Sequence, residues 1–123
     1  MKKPDWIIHG ILEDDGSVSY HTHGLDKHEM LELELNLSME EKQAMYFINL
    51  IAYHFIENNI IVKEDYISDD IFTCPVYFKK CKAKYTENKF GYKEDIIRII
   101  FPDPNFLFPW EEGCHEEYKK QLD

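Results

Sequence analysis

His21-Thr22-His23 sets two imidazoles two residues apart. On a strand, side chains at i and i+2 leave the same face, so both rings can reach one ion. His28 follows five residues on, beyond Gly24. His21, His23 and His28 therefore form a candidate metal set, with Glu29, Cys114 or His115 as a fourth ligand. Zinc or another first-row divalent metal suits nitrogen donors of this kind. The plain alternative is surface histidines at the end of a hairpin, because their spacing carries no zinc signature.

Other chemistry is thinner. Cys114-His115 suggests a thiolate and an imidazole, but neighbours in sequence rarely turn their side chains on each other. The acidic Glu111-Glu112 just before them raises a thiol pKa rather than lowering it. No glycine-rich phosphate loop and no nucleophile elbow is present. Acidic doublets such as Asp69-Asp70 read as solvated faces.

The elements that must position these groups follow from periodicity. Trp6 to Leu12 and Ser17 to Thr22 flank Asp15-Gly16, a strong turn signal, and read as a β-hairpin. Leu31, Leu33, Leu35 and Leu37 share one parity; Glu32, Glu34 and Asn36 share the other. That alternation predicts a strand with leucines on a core and the polar set in water. Ser38 with Glu41 fits a capping box, and Ala44, Met45, Ile48, Ile51, Ala52, Phe55 and Ile56 line one face of a helix over about residues 39 to 58, stopped near Asn58 and Asn59. Phe72 to Tyr85 reads as extended past Pro75, with Lys80, Lys82 and Lys84 on one face as edge protection or as partners for Glu32 and Glu34. Asp95 to Phe101 reads as a buried strand. From Phe101 to Trp110, three prolines and four large aromatics exclude a helix and predict an irregular cover.

Composition sets outer limits. At 123 residues the chain fits one domain, residues 1–123, with a core built largely from its 15% aromatics. A net charge of -10 disfavours nucleic acid and anionic membranes as partners and suits a basic protein. Three cysteines with no zinc-ribbon spacing, no leader after Lys2-Lys3 and no long apolar run predict a reduced cytoplasmic protein.

Two motifs carry a resemblance. His21-Thr22-His23-Gly24-Leu25 with Lys27-His28-Glu29, and Phe101-Pro102-Asp103 with Phe108-Pro109-Trp110, resemble an uncharacterised, mostly bacterial family, domain of unknown function 4262. That family carries Tyr-Thr-hydrophobic-Gly-Leu, then Gly-His-Pro-Glu, then an aromatic-Pro-Asp and Phe-Pro-Trp. This chain departs from it at His21 and His23 and lacks the proline before Glu29. The resemblance implies no activity and makes the His-x-His pair this chain's own variation. It suggests a binding cluster of Thr22, Gly24, His28, Glu29, Asp103 and Trp110 at one end of the sheet, with the Phe-Pro-Trp segment folded over the turn at Gly24.

The expected fold is α+β: a mixed or mostly antiparallel sheet of about five strands with one main amphipathic helix packed on it. The leading functional expectation is a non-enzymatic interaction protein, of the immunity or inhibitor kind, with a basic partner. A metal-assisted or small-molecule enzyme using the histidines is the alternative, and a homodimer on an exposed strand edge is a third reading.

Overall fold

The computed structural model describes residues 4–62 and 64–123. Lys2 and Lys3, part of the leader reading, and Lys63 lie outside the described residues. Six strands form one sheet: β1 (Ile7–Leu12), β2 (Val18–His23), β3 (Leu33–Leu35), β4 (Tyr66–Ser68), β5 (Val76–Glu87) and β6 (Lys93–Ile100). Their order is β1-β2-β3-β6-β5-β4, antiparallel throughout except between β3 and β6. The helix α1 (Glu41–Glu57) packs on one face, and a short α2 (Glu116–Lys119) follows the proline-rich segment. This is the expected mixed, mostly antiparallel sheet with one dominant helix, with six strands rather than five.

The leucine stripe does what its parity demands. Leu33 and Leu35 are fully buried against α1, and Leu31 and Leu37 pack beside them. Ala44, Ile48, Ile51, Ala52 and Phe55 supply the helix side, with Ile56 packed beside them and Phe55 edge-on to Phe78 of β5 at 4.9 Å; Met45, expected on this face, is exposed at its margin. Burying a side chain of this size contributes roughly 1.5–3 kcal/mol, so this one seam holds the sheet and helix together.

The helix starts later than the capping box predicts. Its N-cap is Glu40, and no side chain caps it. Met39 packs against the core, and its carbonyl accepts a 2.8 Å hydrogen bond from the Tyr20 hydroxyl. Those two contacts hold residues 38–40 out of the helix. The C-terminal stop is as expected: Asn58 is the C-cap and Asn59 takes the left-handed conformation, φ 52°.

The polar parity of β3 is not in water. Glu34 is 3% exposed and pairs with Arg98, 8% exposed, on the face away from α1. The reason is β5, whose register with β6 breaks between Lys82 and Glu87. The strand bends there, and the Lys84 amide donates to Glu34 Oε2 at 2.9 Å. Lys84 itself reaches Glu13 at 2.8 Å, and Lys82 reaches Asp95 at 2.7 Å. Lys82 and Lys84 thus bond acids from other elements, and the lysine row lies on the part of β5 beyond its short pairing with β4, at the sheet's edge.

The proline-rich segment is irregular, as expected. Asp103 anchors it, accepting backbone hydrogen bonds from Asn105, Leu107 and His115 at 2.9–3.0 Å. Phe101 and Phe108 are buried, while Trp110 is 50% exposed, stacked on Phe108 and edge-on to Tyr77. Gln121 completes the closure. Fully buried, it accepts from the Phe101 amide at 2.7 Å and donates to the carbonyls of Phe101 and Tyr118 at 2.8 Å. Gln121→Ala strands those groups without partners and is expected to cost roughly 2–3 kcal/mol in a urea titration. A loss near zero would mean the C-terminal segment is not docked.

Candidate metal centre

The hairpin loop sets the register that builds the site. The Glu13 amide donates to the Ser17 carbonyl at 2.8 Å, and the Gly16 amide donates to the Glu13 carbonyl at 3.0 Å. Gly16 has φ 86°, the left-handed residue that a three-residue hairpin loop requires. With three residues in the loop, Leu12 pairs with Val18, and His9 falls directly opposite His21. His23 lies two residues along β2, on the same face.

Three imidazoles therefore converge: His9, His21 and His23. One ring nitrogen from each lies within 4.8 Å of the others. The Nε2 atoms of His21 and His23 are 3.0 Å apart. Ring centroids are 4.7 Å apart for His9 and His23, and 5.6 Å for His9 and His21. Nitrogens bound at about 2.0–2.1 Å to a tetrahedral zinc stand about 3.3 Å from one another; His21 and His23 are already near that spacing, and His9 offers a nitrogen within 4.8 Å of theirs. His21 is buried, His23 half-buried and His9 exposed, so the cluster opens towards solvent on the β1 side.

Burial sets the protonation of the group. It pushes the His21 imidazole below its usual range, and the neighbouring rings of His23 and His9 push the same way; Glu34 opposes them. A lowered pKa means the unfolded chain takes the proton more readily than the native one. Metal-free protein is accordingly expected to hold its full stability above the ordinary histidine range, near pH 6.5. Stability then falls as pH drops from there towards the lowered value. Thermal melts in chelator across that interval check this, and a flat profile would contradict it. His21 is also neutral near neutral pH, the form that binds metal.

His21 belongs to a longer row. Register places His9, His21, Glu34, Arg98 and Lys79 side by side across five strands, on the face away from α1. Within that row the Glu34 carboxylate accepts from Arg98 Nε at 2.9 Å and Nη2 at 2.8 Å, and from Asn36 at 2.8 Å. Ser19 closes the network by donating to Asn36 Oδ1.

His28 is not part of this set. Gly24, with φ 111°, turns the chain against Trp6, whose backbone would crowd any Cβ there. The short 3-10 turn Leu25–His28 then seats His28 edge-on to Trp6 and hydrogen-bonded to Asp5 at 2.8 Å. Trp6 in turn donates to Asn49 of α1, so His28 stands on the helix side and the triad on the other. His9 takes the third place expected of His28.

The six-residue binding cluster is split. β2 runs antiparallel to β3 and β3 parallel to β6, so the ends of β2 and β6 lie at opposite ends of the sheet. Thr22, Gly24, His28 and Glu29 sit at one end; Asp103 and Trp110 sit at the other. Thr22 serves the local backbone instead, donating to Glu32 at 2.9 Å and accepting from the Leu33 amide at 2.9 Å. Glu29 is a left-handed cap of the 3-10 turn. The Phe-Pro-Trp segment covers Tyr77 rather than the turn at Gly24. Cys114 and His115 bond to the Asp103 loop, at the far end with it. Burial and the Asp103 carboxylate push the Cys114 thiol up, away from nucleophilic use.

Among the described residues no helix is long and apolar enough to cross a membrane. No protein-family model matches the chain, and no curated protein or solved structure matches it.

Proposed function

We propose that this chain is a metal-binding protein in which His9, His21 and His23 hold one first-row divalent cation, zinc being the favoured guest. The observation that carries this reading is the convergence of three imidazole nitrogens within 4.8 Å on two paired strands. Three neutral nitrogen donors are a ligand set that zinc accepts, and the set leaves a fourth position free. In the single chain, a zinc ion held there would supply Lewis acidity to a ligand in that fourth position. The chain's own contribution is to orient the donors: β-pairing fixes His9 against His21, and burial keeps His21 neutral.

Zinc titration by calorimetry on protein without a histidine tag, with elemental analysis of the product, tests this. The expected result is one tightly bound ion per one or two chains, lost in His21→Ala. Zinc far below that ratio, or unchanged by His21→Ala, would overturn the reading.

A further inference from the structure

We propose that β1 pairs edge to edge with β1 of a second copy, so that the ion takes ligands from both chains. This rests on the metal reading above and completes it. β1 ends the sheet, and among the described residues nothing pairs with its outer edge. Edge strands are normally blunted by charge, proline, a bulge or brevity. Ile7-Ile8-His9-Gly10-Ile11-Leu12 has no charged residue and no proline, and its register with β2 is unbroken over six pairs. The opposite edge is β4, only three residues long, and beyond it the stretch of β5 that carries Lys80, Lys82 and Lys84. Ile7 is 57% exposed and Leu12 75%, so the unguarded edge is also apolar.

Symmetry narrows the pairing. A two-fold axis normal to the sheet keeps each face continuous, so antiparallel partners must share parity. The strand can then centre on His9 or on Gly10. Centring on Gly10 sets His9 against the partner's Ile11 and adds no ligand. Centring on His9 sets Ile7 against the partner's Ile11, twice over, and His9 against the partner's His9. Directly opposed Cβ atoms lie about 4.5–5.5 Å apart, the same relation that already joins His9 to His21. The histidine row then runs through the interface: one chain's His9, His21 and His23 with the second copy's His9 make four nitrogens, and the second triad, left with two rings, holds no ion of its own, so the site departs from the two-fold and binds one ion per two chains. A second copy fits better than an unrelated strand, because the edge that needs pairing also carries the missing imidazole.

Light scattering of tag-free protein, in zinc and in chelator, reads this out beside zinc calorimetry. Zinc should convert monomer to dimer at about one ion per two chains, and chelator should reverse it. Ile7→Lys, at an exposed position, should retain zinc but weaken the dimer about tenfold or more. His9→Ala should abolish both. A zinc-saturated monomer would overturn this inference and leave the metal reading intact. A dimer that persists in chelator and in His9→Ala would overturn it as well. Absence of zinc binding removes the metal reading, and this inference with it.

Discussion

Arg98→Ala is expected to destabilise the protein by about 3–5 kcal/mol, the range for removing one partner of a buried ion pair. Arg98 and Glu34 are both almost wholly buried. Arg98 bonds Glu34 through two nitrogens and also reaches the carbonyls of Lys82 and Leu122 at 3.5 and 3.4 Å. It thus ties β3 to the bent end of β5 and to the C-terminal turn. Alanine leaves the Glu34 carboxylate buried with two neutral donors, Asn36 and the Lys84 amide, and no cation bonded to it. Urea titration reads the loss as a lower midpoint at constant slope. The double variant Glu34→Gln with Arg98→Met removes both charges and keeps an acceptor for the Lys84 amide. It should recover most of the loss. A single-variant loss below about 1 kcal/mol would mean that the pair behaves as a solvated surface bridge.

His9→Ala is expected to weaken zinc binding on the order of 100-fold or more, since even groups that merely orient a ligand are worth 10–100-fold. His9 is the informative position because it is exposed, so its removal leaves the core untouched. His21→Ala and His23→Ala should match it in affinity, whereas His28→Ala should leave zinc affinity unchanged. His28 bonds Asp5 on the helix side of the sheet and has no part in the triad. Calorimetry on the four variants makes the comparison. Equal losses at His9 and His28, or none at His9, would contradict the assignment.

The core was legible in the sequence because its signals were periodic. The leucines of one parity and the helix stripe from Ala44 to Phe55 could bury themselves only against each other, and they do. The opposite parity misled for a physical reason. Alternation separates two faces, but it cannot tell polar-in-water from polar-and-paired when a bent strand covers the second face. Glu34 and Asn36 are the second kind. The same limit applies to Ser38: the capping pattern is present, but the Tyr20 hydrogen bond to Met39 outcompetes it.

The site was half legible. His21 and His23 follow from period two alone. His9 depends on hairpin register, and a one-residue change in loop length moves every side chain of the strand. A two-residue Asp15-Gly16 turn would have set His9 against Thr22; the three-residue loop sets it against His21. The left-handed Gly16 was the available signal, because Asp14-Asp15-Gly16 suits a loop with glycine last. His28 misled through nearness in sequence, which the turn at Gly24 cancels. Asp103 and Trp110 were separated from Thr22 by strand direction, and strand order cannot be read from motifs.

The central claim is that three particular imidazoles bind one ion. The chain has six histidines, so ring-nitrogen NMR during a zinc titration can watch each of them. The signals of His9, His21 and His23 should move together and saturate at one common ratio, with His28, His54 and His115 unmoved. Zinc-induced shifts confined to His28, His54 or His115, or no saturable shift in the triad, would contradict the account.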